Sequence, residues 1–248
     1  MKRALLLVLA LSLFCLPGAA QRRDSVYTAS EQFKWTKLLV PGTLMGAGTF
    51  ATLSPWYKQQ VNLPVRDWVL EHGAPSAYPF ENILQYAPVA AYAVSAALGG
   101  GQHSFWEQLM AGGTAALVMG ILVTTIKYTA QVQRPCDGPA TSFPSGHTAT
   151  AFMGAELIRL EYGPWWGLAA YSAATLTAVM RVWHNWHWTS DLLGGAALGI
   201  LGAQVGYWLL PWERKLLRVD SAVQGHVLPY AAPTPAGVSY GLTLAVQL

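Results

Sequence analysis

The chain has 248 residues, of which 53% are hydrophobic and 11% charged, with a formal net charge of +3. That length can bury one sizeable core and the composition leans toward the membrane class, while so small and dispersed a positive charge excludes a nucleic-acid-binding face. With only two cysteines, Cys15 and Cys136, a disulfide framework is excluded as well.

Residues 1–20 begin with Lys2 and Arg3, continue apolar over 4–16 and end on Gly18-Ala19-Ala20. This is the pattern of a secretory signal peptide, with an uncleaved first anchor as the alternative. Residues 21–82 form a mixed N-terminal region. In it, 21–37 is polar and basic, and 38–53 is apolar but short and interrupted by Pro41, Gly42, Gly46 and Gly48. The stretch 54–82 mixes Trp56, Tyr57 and Trp68 with Lys58, Arg66, Asp67 and Glu71, as a helix lying in a membrane interface would.

Five apolar segments follow at 83–99, 109–130, 147–160, 165–182 and 192–210. Read as spans, they predict an all-α integral membrane bundle of about five to six transmembrane helices, with its core over 83–210. Small residues from Gly194 to Gly206 predict close helix packing in the last of them. Trp183, Trp186 and Trp188 at one end of the fourth segment, with Trp165 and Trp166 at the other, read as interfacial belts. The tail, 211–248, carries a basic patch (Arg214, Lys215, Arg218) and then alternates over 238–246 like a short strand. The positive-inside rule places that patch in the cytoplasm and residues 181–191 on the periplasmic or outer face of a bacterial-type inner membrane.

Three polar clusters stand out against this background. Lys127 and Arg134 are seven residues apart, a spacing that predicts both side chains on one face of the helix that Pro135 ends. Pro144 and Ser145 read as a helix start, with Gly146 admitting a ligand to the backbone and His147 in the first turn, where N–H groups and the helix dipole favour an anion. His187 and Asp191 form an i,i+4 pair in which the carboxylate orients the imidazole, and Arg181 adds a cation nearby. Cations, imidazoles and one carboxylate in this pattern suit a phosphate.

In order, Lys-x6-Arg-Pro, Pro-Ser-Gly-His and Arg-x5-His-x3-Asp resemble the signature motifs of the type-2 phosphatidic acid phosphatase superfamily, which shares its fold with vanadium haloperoxidases and bacterial acid phosphatases. One departure is Met180, where the family usually has Ser before the third-motif Arg. The resemblance implies a metal-independent, cofactor-free phosphatase in which His187 attacks phosphorus, Asp191 supports it and His147 serves as acid and then base. Lys127, Arg134, Arg181 and the N–H groups of Ser145 and Gly146 would hold the phosphate oxygens. A phospholipid or isoprenoid-lipid phosphate in the membrane is the implied substrate: undecaprenyl diphosphate, phosphatidylglycerol phosphate, phosphatidate or a lipid A phosphate. The alternatives are a vanadate-holding haloperoxidase, a non-catalytic lipid binder, and a zinc site on His184 and His187. Residues outside the motifs have plainer readings: Glu156 pairs with Arg159, and His184 is an interfacial histidine.

Overall fold

The computed structural model describes residues 29–73, 80–99, 101–217, 224–234 and 237–247. Its helices are α1 (Leu39–Leu53), α2 (Leu63–His72), α3 (Glu81–Leu84), α4 (Ala87–Ala97), α5 (Phe105–Ala130), α6 (Gly146–Tyr162), α7 (Pro164–Trp183) and α8 (Thr189–Leu217). A single turn, Pro55–Tyr57, and a π-helical turn, Lys58–Asn62, join α1 to α2. Local chemistry sets several of these boundaries. Ser104 and Glu107 close a reciprocal capping box at the start of α5, and the Ser145 side chain caps α6. Gly163, at φ 92°, ends α6 in a conformation open to glycine, and Pro164 starts α7 directly after it.

Helix α8 is the centre of the bundle and packs on α1, α5 and α6, while α7 packs on α6. The small residues seen in the sequence allow this. A Cβ at Gly199 would collide with the Ala149 carbonyl oxygen, and one at Gly206 with that of Ala111, so both neighbouring backbones approach α8 at glycine. Between them lies a core of Tyr92, Ala111, Ala115, Met119, Ala149, Met153, Leu157, Ala203, Tyr207 and Leu210, all buried.

The expected count of spans is overturned. Among the described residues two helices are long and apolar enough to cross a membrane, Phe105–Ala130 and Thr189–Leu217. Segment 83–99 breaks into α3 and the 11-residue α4, and 38–53 yields a helix of 15 residues, both short of the roughly 20 residues a span requires. Helix α6 buries Glu156 and Glu161 inside the protein, and α7 dilutes its apolar residues with Trp165, Trp166, Tyr171, Ser172, Thr175 and Thr177. The expected lone C-terminal strand is one arm of an antiparallel hairpin, Gln224–Thr234 (β1) with Gly237–Gln247 (β2), in register from Gln224↔Gln247 to Thr234↔Gly237. Pro229 and Pro233 hid the first arm, but every strand of a two-stranded sheet is an edge, where proline is tolerated. The signal peptide or anchor at 1–20 lies outside the described residues, as does Arg218.

The bundle end formed by the start of α5 and the C-termini of α6 and α8 holds a buried ionic network. His103 presents Nδ1 to Glu161 Oε2 at 2.7 Å and Nε2 to Glu31 Oε1 at 2.8 Å. With a carboxylate on each nitrogen, the ring is an imidazolium donating from both. Burial opposes that charge, but Glu161 and Glu31 outweigh it and raise the His103 pKa to about 9. Arg214 donates to both oxygens of Glu31, at 2.8 and 2.9 Å, and to Glu107 at 2.5 Å. It is therefore spent on internal partners, and the basic patch that carried the positive-inside argument loses its first member. Burial disfavours the Glu31 carboxylate, yet hydrogen bonds from His103 and Arg214 hold its pKa down at about 2.

These shifts fix a pH dependence. A raised histidine contributes stability that is complete below its ordinary 6.5 and lost as pH rises through about 9. A depressed carboxylate contributes above 4.5 and loses it as pH falls through about 2. The Tm gap between wild type and His103→Gln is expected to be widest between pH 4.5 and 6.5 and to close toward pH 9. Thermal melts of both proteins across that range test it; a gap constant from pH 6.5 to 9 contradicts the assignment.

Candidate active site

The opposite bundle end gathers the three motifs. Helix α5 stops at Ala130, because Gln131 turns left-handed at φ 48° and returns its N–H to the Lys127 carbonyl. The structure therefore corrects the expected shared helical face: Lys127 is on α5, and Arg134 is on the loop beyond it. Both cations still belong to this end. The Lys127 ammonium donates to the Thr141 carbonyl at 2.6 Å, and Arg134 has a buried Nε with no acceptor among the described residues. The loop between them and α6 is pinned by Ser142 N–H to Val132 O at 2.8 Å and by the Trp188 indole N–H to Gln133 O at 2.7 Å.

Helix α6 begins as the sequence predicts, with Ser145 as its cap and Gly146 and His147 in the first turn. One expected phosphate donor is withdrawn. The Ser145 N–H is committed to the Asp191 carbonyl at 3.0 Å, a contact that Gly195 permits, since a Cβ there would lie 2.5 Å from Ser145 O. The Ser145 hydroxyl caps Thr148 N–H at 3.4 Å. Helix geometry leaves the N–H groups of Gly146 and His147 without an intrahelical acceptor, so they are available as donors to an anion.

His187 and Asp191 meet as expected. Asp191 is fully buried and its Oδ2 accepts from Ser142 Oγ at 2.5 Å, from Trp188 N–H at 2.8 Å and from His187 Nδ1 at 3.2 Å. His187 is 3% exposed. Burial drives its pKa down to about 4, with Lys127 and Arg181 adding to the effect and Asp191 opposing it. The ring is thus neutral near pH 7, its proton sits on Nδ1 facing the carboxylate, and Nε2 keeps its lone pair. Ser142, which locks the carboxylate, was not legible in the sequence: it stands three residues before the cap and reaches Asp191 only through the fold.

Arg181 is buried at the C-terminal end of α7. It donates from Nη1 to Glu81 Oε1 and to Asn82 Oδ1, each at 3.3 Å, and its guanidinium lies 5.5 Å from the Trp186 ring centre. His184 is not interfacial: its side chain is 5% exposed and Nδ1 contacts Glu81 Oε1 at 2.7 Å. The Trp186 ring, 40% exposed, lies against Arg181, and the Trp188 indole N–H is donated to the Gln133 carbonyl. Half-buried His147 contacts Asn82 Oδ1 through Nε2 at 2.8 Å. Burial, then the charges of Arg181, His187, Arg134 and Lys127, push its pKa down to about 3. Glu81 and Asn82 lie just before the expected core boundary and carry no motif. Among the described residues no three His, Cys, Asp or Glu side chains gather as a metal site. Glu156 is held by Arg159 through two bonds, at 2.6 and 2.7 Å, as the sequence predicts, and also by Tyr171 at 2.7 Å.

The sequence profile of the PAP2 superfamily matches residues 108–215. A lipid A 1-phosphatase of Porphyromonas gingivalis is 40% identical over 134 residues, which is 52% of this chain and 30% of that protein; the chain thus spans about a third of the curated relative's length. The crystal structure of Aquifex aeolicus LpxE aligns at TM-score 0.48 with 19% identity, over 59% of this chain and 94% of that one. The profile covers all three clusters, Lys127 to Asp191, so it is this segment of the chain that is similar to the PAP2 superfamily.

Proposed function

We propose that the chain is a phosphohydrolase of lipid phosphates that works through a phosphohistidine at His187. The observation that carries this reading is the buried Asp191–His187 pair, which commits Nδ1 and frees Nε2 as a neutral nucleophile beside Lys127, Arg134 and Arg181. In the first step Nε2 bonds to phosphorus and the phosphorus–oxygen bond to the lipid breaks, with the electron pair leaving on oxygen. His147 supplies the proton that oxygen takes up. Burial first, and then four cationic or imidazole neighbours, hold His147 neutral; a bound phosphate dianion offsets the field of those neighbours and favours its protonation. In the second step neutral His147 accepts a proton from water, the hydroxide attacks phosphorus, and the nitrogen–phosphorus bond breaks. The three cations and the N–H groups of Gly146 and His147 hold the oxygens on which charge develops.

The lipid character of the substrate is supported by what surrounds this end. Ile83, Tyr86, Tyr128 and Trp68 are more than half exposed. The two candidate spans terminate here, α5 by its C-terminus and α8 by its N-terminus, so their membrane association would set the site at headgroup depth. The relative's name points to the 1-phosphate of lipid A as the first lipid to try. Phosphate release from lipid A 1-phosphate, undecaprenyl diphosphate, phosphatidylglycerol phosphate and phosphatidate by the detergent-solubilised protein tests the reading. Release from at least one is expected, unaffected by excess chelator and blocked by vanadate, whose trigonal-bipyramidal form matches the phosphoryl transition state. Loss of activity in chelator, restored by zinc or magnesium, would overturn the metal-independent mechanism.

A further inference from the structure

We infer that Asn82 is a positioning residue that fixes the tautomer of His147, so that Nδ1 is the nitrogen exchanging protons with the leaving oxygen and then with water. The inference rests on the proposed phosphatase reading for its kinetic consequence, though not for its structural one. The orientation of the Asn82 amide is settled by its two neighbours. Arg181 Nη1, which can only donate, lies 3.3 Å from the atom that also faces His147 Nε2 at 2.8 Å. That atom must be the carbonyl oxygen, since an amide nitrogen there would oppose donor to donor. An oxygen that only accepts requires Nε2 to carry a proton in every protonation state of His147. The second nitrogen, Nδ1, is then the one that gains and loses the working proton.

The placement of Asn82 is itself held. Its carbonyl accepts from Gln85 Nε2 at 2.8 Å, and its neighbour Glu81, wholly buried, grips Arg181 and His184. One short helix, α3, thereby orients the acid and one phosphate-binding cation together, from outside the segment 108–215 that the superfamily profile covers. The charged and titratable groups around His147 are Arg181 from α7, His187 from the α7–α8 turn, Lys127 from α5 and Arg134 from the following loop, with Glu81 of α3 behind Arg181. All but Glu81 oppose a proton on His147, so a neutral acceptor at position 82 orients the ring without holding it permanently charged.

The test uses the full chain in detergent with 15N-labelled histidine. Nitrogen chemical shifts should place the neutral-state proton of His147 on Nε2 in wild type and redistribute it in Asn82→Leu. This readout requires no turnover, so it decides the inference even if none of the lipids is hydrolysed, an outcome that would count against the phosphatase reading alone. On an active lipid, Asn82→Leu should lower kcat by about 10- to 100-fold with KM changed far less, the scale of a lost orienting partner. Asn82→Asp keeps the acceptor and adds charge: it should retain the Nε2–H tautomer and shift the kcat profile to higher pH, because a carboxylate favours protonated His147. A wild-type proton on Nδ1, or an Asn82→Asp profile superimposable on wild type, would overturn the assignment.

Discussion

His187→Ala is expected to reduce kcat by at least about 10³-fold, the scale on which removal of a nucleophile acts, whereas binding residues mainly move KM. The basis is geometric. The partner of Nε2, Nδ1, is anchored on the buried Asp191 carboxylate, and the motif cations Lys127 and Arg181 stand close enough to act on the same ring. The variant should remain folded, because His187 lies in the turn before α8 and outside the buried apolar cluster. Its thermal midpoint, measured beside turnover, separates lost chemistry from lost structure. Turnover within tenfold of wild type in a folded His187→Ala protein would remove His187 from the mechanism.

Glu161→Ala should have the largest effect on stability, and none on chemistry at temperatures where it is folded. Glu161 is fully buried and accepts from the His103 N–H and Nδ1 and from the Tyr207 hydroxyl, each at 2.7 Å. Removing it leaves a buried imidazolium with one of its two carboxylates and Tyr207 without that acceptor. Breaking a buried ion pair from one side costs roughly 3–5 kcal/mol, which for a domain of this size lowers Tm by roughly 10 °C. Glu161 lies 14 residues beyond His147 on the same helix, a rise of about 21 Å, so KM should be unchanged. Glu161→Gln, which can still accept from His103, should recover part of the loss. A Glu161→Ala protein as stable as wild type would show that the network is not a structural tie.

The site was legible in the sequence to the extent that it is built from local spacing. The cap at Ser145, the first-turn His147 and the i,i+4 pair of His187 and Asp191 each follow from residues within one or two helical turns. Lys127 and Arg134 lie at the same bundle end, but not by the route that their spacing suggested. The two-turn spacing suggested one helical face, whereas Gln131 ends α5 in a left-handed turn and the loop brings Arg134 back. Ser142, Glu81 and Asn82 were illegible because each acts across 40 to 100 residues of chain, through contacts that no periodicity encodes. The overcount of spans has a comparable origin. An apolar run such as 147–160 records burial without naming the solvent, and a helix buried among other helices is as apolar as one facing lipid. Helix α6 shows this: Glu156 and Glu161 inside it are paired to Arg159, Tyr171, His103 and Tyr207.

The central claim is a covalent bond between His187 Nε2 and phosphorus. Its most direct test is to mix the protein with a lipid 32P-labelled on the scissile phosphate, quench in alkali within the first turnover, and map the label by mass spectrometry. Because Nδ1 is held by Asp191, the label should be found on Nε2 of His187, stable in alkali, lost in mild acid and absent from Asp191→Asn at the same time point. Label on any other residue, or first-turnover phosphate release with no labelled protein at any quench time, would contradict the account.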